Sequence, residues 1–158
     1  MAAYDFNADE IFEMAVQIEV NGAKFYRKAA ESVSDADAKK FLLELAAMED
    51  DHENTFKKMK SELTEELKKS KVFDPENEAV LYLKSLADTR VFYEKEIDST
   101  SLKEIFKAAI TAEKDSIVFY LGMKDLVAPG AGQAKVDAII KEEMSHIRLL
   151  SKKLIEVK

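Results

Sequence analysis

The sequence predicts an all-α protein, a four-helix bundle with a long crossover connection between helices two and three. Three observations carry that prediction. Apolar residues make up 47% and charged residues 35% of the 158, with only four Gly and two Pro, the composition of long amphipathic helices. Four stretches repeat apolar residues every three or four positions, and no segment alternates convincingly as a strand. About 30 residues separate the second stretch from the third, enough to run the length of a bundle, so helices two and three need not be antiparallel neighbours.

The elements follow in order. Helix one starts near Ala8 or Asp9 and carries Ile11, Phe12, Ala15, Ile18, Gly22, Phe25, Tyr26 and Ala29 at helical spacing, ending near Ser32. The stretch SVSD then caps helix two, expected from about Asp35 to Lys69, with the stripe Ala38, Phe41, Leu42, Leu45, Glu49, His52, Phe56, Met59 and Leu63. A loop this short makes the pair 8–69 antiparallel neighbours. Residues 70–100 form the connection, with Pro75 at the start of one short helix. The second pair spans 101–157. Ser101 and Glu104 make a capping box for helix three, 101–127, whose stripe is Leu102, Ile105, Phe106, Ala109, Ile110, Glu113, Ile117, Tyr120 and Leu121. The stretch APGAG at 128–132 breaks the chain before helix four, Gln133 to Glu156, with Val136, Ile139, Ile140, Glu143, Ile147, Leu150 and Leu154. Residues 1–158 read as one domain, long enough to bury a core without staples.

Composition narrows the chemistry. Lys+Arg 24 against Asp+Glu 31 leaves a net charge of −7, which disfavours nucleic acid because phosphate contacts need clustered Lys and Arg. No cysteine is present, so disulfides, zinc–thiolate sites, iron–sulfur clusters and thiol catalysis are excluded for this sequence. The polar start MAAYDFNADE is not a signal pattern, and no apolar run approaches a membrane span. A soluble cytoplasmic protein is expected, with no membrane partner.

An internal repeat concentrates the polar residues of the apolar stripes. AVQIEVNGAKFY (15–26) aligns with AITAEKDSIVFY (109–120), and EDDH (49–52) aligns with EMSH (143–146). Both offsets are 94, since 113 − 19 = 94 and 143 − 49 = 94. Each copy therefore holds a lone Glu in one helix and Glu-x-x-His in the next. Glu and His at i, i+3 project from one helix face. Glu19, Glu49, Glu113 and Glu143 lie in apolar stripes, as does His52, with His146 at the edge of its stripe. Burying four carboxylates is unfavourable unless cations balance them. A bundle that points two lone Glu and two Glu-x-x-His pairs inward has the ligand set of a di-metal carboxylate site. Four carboxylates neutralise two divalent cations, and oxygen and nitrogen donors without thiolate suit iron or manganese, with zinc also able to bind. The bland alternative, Glu–His pairs satisfying each other without metal, sets four carboxylates against at most two positive charges.

Residues beside the motifs repeat with the same offset. Tyr26 and Tyr120, each seven residues after a stripe Glu, are candidate catalytic-site residues that bond a ligand carboxylate, or simply core residues whose hydroxyls find partners. Gly22 and Ser116, each three residues after a stripe Glu, either leave an open metal position or permit close helix packing. Asn21 and Asp115 are considered as partners for the outer nitrogens of the histidines. Glu44, Glu53 and Glu142 are placed on a solvated face.

The doubled motif, Glu19–Tyr26 with Glu49–His52 and Glu113–Tyr120 with Glu143–His146, resembles the rubrerythrin branch of the ferritin-like superfamily over the four main helices. The resemblance implies a ferritin-like bundle with a left-handed crossover and a non-haem di-iron centre. Glu49 and Glu143 would bridge two iron ions, with Glu19 and His52 terminal on one side and Glu113 and His146 on the other. It implies an oxidoreductase that reacts with hydrogen peroxide or oxygen, of peroxidase or ferroxidase type. The alternative is an iron-binding or buffering protein without turnover. Rubrerythrins proper carry a rubredoxin-like domain with Cys-x-x-Cys pairs. This sequence has no cysteine, so electrons would come from an external donor protein, rubredoxin-like in kind. Ser116 stands where rubrerythrins carry a seventh carboxylate, which leaves a six-residue ligand set closer to that of bacterioferritins. A homodimer is expected, and a large storage cage is not.

Overall fold

The computed structural model describes residues 8–62, 101–126 and 131–157, and they form four helices. These are α1 (Ala8–Ser32), α2 (Ala36–Ser61), α3 (Leu102–Leu126) and α4 (Ala131–Glu156). No strand occurs among the described residues. No helix among them is long and apolar enough to cross a membrane. The connection at 70–100, the end of the second predicted helix at 63–69 and Val127 lie outside the described residues.

Local signals set the helix starts. The carboxylate of Asp35 accepts from the N–H of Ala38 at 2.8 Å, capping α2. Ser101 Oγ accepts from the N–H of Glu104 at 3.3 Å, the Ser half of the predicted capping box. Helix α4 starts at Ala131, two residues before the expected Gln133. Gly132 sits in the first turn, where a helical glycine costs at most about 1 kcal/mol.

Cross-helix contacts fix the directions. Arg27 pairs with Asp50, and Lys60 with Glu13 at 2.6 Å, so α1 and α2 run antiparallel. Lys124 meets Asp137 at 3.1 Å, so α3 and α4 do as well. Tyr26 reaches Glu113 on α3, and Tyr120 reaches Glu19 on α1, which makes α1 and α3 antiparallel too. Helices α2 and α3 are therefore parallel and diagonal across the bundle. Glu62 and Ser101 lie at opposite ends of it, which is why the connection must be long.

The apolar stripes close into two cores rather than one. One holds Ile11, Phe12, Phe56, Phe119, Tyr120, Met123 and Ile140, and the other Tyr26, Leu42, Leu45, Phe106 and Leu150. Between them lies a polar layer. The α3 stripe needs one correction. Leu121, expected inside, is 50% exposed, while Phe119 and Met123 are fully buried. Phe119, Tyr120 and Met123 lie fourteen residues after the buried Ile105, Phe106 and Ala109, so the buried face keeps the seven-residue register, and Leu121 falls on the face of the exposed Lys107.

Candidate metal centre

Each helix contributes to the polar layer: Glu19 from α1, Glu49 and His52 from α2, Glu113 from α3, Glu143 and His146 from α4. All six are 3% exposed or less, including His146, which the sequence pattern set at the edge of its stripe. The structure thus brings together every residue of the predicted ligand set.

The layer obeys the 94-residue repeat as a pseudo-two-fold arrangement. His52 Nδ1 faces Glu19 Oε2 at 3.5 Å, Glu49 Oε2 at 3.5 Å and Glu143 Oε1 at 2.7 Å. His146 Nδ1 faces Glu113 Oε1 at 3.3 Å, Glu49 Oε1 at 3.4 Å and Glu143 Oε1 at 3.9 Å. Glu49 turns one oxygen toward each histidine. The imidazole rings stack with centroids 5.9 Å apart. Two overlapping groups result, Glu19, Glu49, His52 and Glu143, and Glu49, Glu113, Glu143 and His146, with the ligand atoms of each within 4.8 Å of one another. Glu49 and Glu143 belong to both.

The tyrosines are placed with equal regularity. Tyr26 donates its hydroxyl to Glu113 Oε1 at 2.6 Å, and Tyr120 donates to Glu19 Oε1. Each lone Glu is held by one oxygen, and the other, Oε2, is buried with no hydrogen-bond partner. His52 Nδ1 and Glu143 Oε1 are likewise buried without a hydrogen bond, despite their approach. Four orphaned donor atoms, one from each helix, fit a cation, because unpartnered buried polar atoms are otherwise costly.

Electrostatics of the metal-free layer point the same way. Burial raises Glu19, Glu49 and Glu143 above the ordinary carboxylate range, and repulsion among the four carboxylates adds to it; Glu49 reaches about 7. Glu113 goes the other way, to about 2. Its burial is outweighed by hydrogen bonds with Glu143, His146 and Tyr26. In that half of the layer Glu143 keeps the proton and Glu113 the charge. Burial works against a charged His52, but the carboxylates of Glu143, Glu19 and Glu49 facing Nδ1 raise it well above its usual value. Burial first, then the adjacent Glu113 and Glu19 charges, push Tyr26 and Tyr120 up, so both stay neutral donors.

Sequence reasoning misplaced the outer partners of the histidines. His52 Nε2 pairs with Glu142, whose side chain is 62% exposed yet whose carboxylate reaches across from α4. His146 Nε2 lies 3.1 Å from Met48 Sδ. The partners found are Glu142 and Met48 rather than the Asn21 and Asp115 considered from sequence; Asn21 accepts from Gln17 Nε2. A signal was present, since Met48 and Glu142 each precede a Glu-x-x-His pair and are themselves 94 residues apart, 142 − 48 = 94. Glu53, set on a solvated face, is half-buried and pairs with Lys57. Ser116 Oγ bonds the Ala112 carbonyl of its own helix at 3.0 Å. A Cβ on Gly22 would meet the Glu49 side chain at 3.5 Å, ordinary contact, so the packing there does not require glycine.

Comparison with known proteins agrees with this geometry. The rubrerythrin family model matches residues 10–155. A solved structure from Thermotoga maritima, described as a ferritin-like diiron-carboxylate protein, is 28% identical, with a TM-score of 0.73 and 97% of each chain covered. No curated protein matches. The chain belongs to the rubrerythrin family. Family membership and the buried Glu/His layer together support iron binding.

Proposed function

We propose that this rubrerythrin-family chain holds two iron ions between its helices and reduces hydrogen peroxide or oxygen with electrons from an external donor protein. The observation that carries the reading is the sharing of Glu49 and Glu143 by two ligand groups that otherwise differ. Glu19 and His52 would complete one position, Glu113 and His146 the other. Bound iron would supply the electrons for reducing peroxide or oxygen.

The chain's own residues do the rest. Tyr26 and Tyr120 fix Glu113 and Glu19 through one oxygen and leave the second aimed inward. The two apolar cores, above and below, keep water from the layer. Ser116 is turned to its own helix, so it adds no ligand and the set stays at six residues. This sequence holds no cysteine, so the donor in this reading is a separate protein of rubredoxin type.

Metal content comes first, by elemental analysis after anaerobic loading with ferrous iron; about two iron per chain are expected. Rapid mixing of the loaded protein with peroxide should then oxidise iron far faster than free ferrous iron reacts, and reduced rubredoxin should sustain repeated cycles. Oxidation no faster than that of free iron would refute an enzyme. A single oxidation event without cycling would leave an iron-buffering protein.

A further inference from the structure

The repeat places equivalent residues at every position of the layer but one pair, and that pair touches the outer nitrogen of each histidine. His52 Nε2 has the Glu142 carboxylate, whereas His146 Nε2 has the Met48 thioether at 3.1 Å. Both histidines aim Nδ1 at the carboxylates, so a metal would take Nδ1 and leave the proton on Nε2. An N–H that donates to a carboxylate gives its ring partial imidazolate character and makes it a stronger ligand; a thioether is a weak acceptor and does little.

We propose that Glu142 and Met48 make the two metal positions unequal, with the Glu19/His52 position filled first and emptied last. Glu142 is a positioning residue acting through His52, and Met48 leaves the Glu113/His146 position the labile one. Met48 is 41% exposed and the Glu142 side chain 62% exposed, so neither is needed to build the cores. The inference rests on the metal-binding reading above and adds an order to it.

Cobalt(II) serves as the probe, titrated into chelator-treated protein and followed by visible absorption and calorimetry. Wild type should bind two ions in two steps. Glu142→Met should weaken the first step about 10- to 100-fold and bring the two steps together, because outer partners of histidine ligands typically contribute that much. Met48→Glu should instead strengthen the second step. Repulsion across the shared Glu49 and Glu143 separates the steps in any di-metal site, so the selective movement decides, not the separation itself. A second readout is independent of affinity. In the cobalt-loaded protein each ligand histidine gives a shifted N–H proton resonance, and the His52 signal should exchange slowly with water. Glu142→Met should make it exchange as fast as the His146 signal, and Glu142→Asp should restore part of the protection. If Glu142→Met weakens both steps equally, or neither, the asymmetry is wrong while the metal-binding reading stands. If no cobalt binds to wild type, both fall.

Discussion

Raising the pH from about 4.5 to about 7 should weaken the metal-free fold, the reverse of what paired carboxylates ordinarily do. Glu49 carries the effect. Burial, and after it the Glu113 charge, lift it from an ordinary 4.5 to about 7. Between those values the folded chain keeps a proton that the unfolded chain has lost, so stability falls as pH rises. Each pH unit is worth 1.36 kcal/mol, which makes the loss about 3 kcal/mol for Glu49 alone. Glu19 and Glu143 are raised as well and act in the same direction. Glu113, lowered to about 2, acts below the window. His52 is raised, so its contribution is full below its ordinary 6.5 and wanes above it, again in the same sense. Urea unfolding in the presence of chelator, at half-unit steps across the window, measures the slope. Glu49→Gln should flatten much of it. With iron bound the slope should reverse, because protons compete with metal for the same oxygens. Metal-free stability that is flat or rising across the window would refute the burial of charge on which the whole layer is argued.

Glu143 belongs to both ligand groups and Glu19 to one, so Glu143→Ala should leave the chain with well under one iron, while Glu19→Ala should retain about one, by elemental analysis. Tyr26→Phe orphans a Glu113 oxygen and should cost about 1–3 kcal/mol in urea unfolding, with Tyr120→Phe matching it at Glu19. Phe56→Ala empties a fully buried ring from one core and should cost about 3–5 kcal/mol while iron per chain at saturation stays unchanged. Gly22→Ala gains up to about 1 kcal/mol of helix stability, because the new methyl finds ordinary contact with Glu49; a loss of stability would mean that close packing there requires glycine.

Most of the site was legible in the sequence because the repeat supplies a second copy of every argument. One Glu-x-x-His could be a solvated pair, but two at the offset of two stripe Glu leave only the bundle interior for all six residues. The antiparallel pairs and the need for a long connection also follow from stripe and loop length. What escaped depends on reach. Glu142 sits on an exposed face of α4 by angle, yet a Glu side chain is long enough to lay its carboxylate on a neighbouring helix, and periodicity describes only where a Cβ points. The α3 error is one of register. Leu121 lies fourteen residues after the exposed Lys107, whereas Phe119, Tyr120 and Met123 lie fourteen after the buried Ile105, Phe106 and Ala109.

The duplicated layer also explains how the bundle tolerates what it buries. Four carboxylates in the middle of a helical core would each cost several kcal/mol without partners. The chain does not spread that penalty; it gathers it at one level, between two apolar clusters that each keep large side chains fully buried. Tyrosines from opposite helices satisfy one oxygen of each lone Glu, and the orphaned atoms that remain face inward together. Stability forgone in the metal-free state is thereby concentrated where a cation would recover it. That arrangement favours ligands fixed in advance over ligands recruited by folding, and it makes the pH slope of the metal-free protein and its reversal on loading two readings of the same charge.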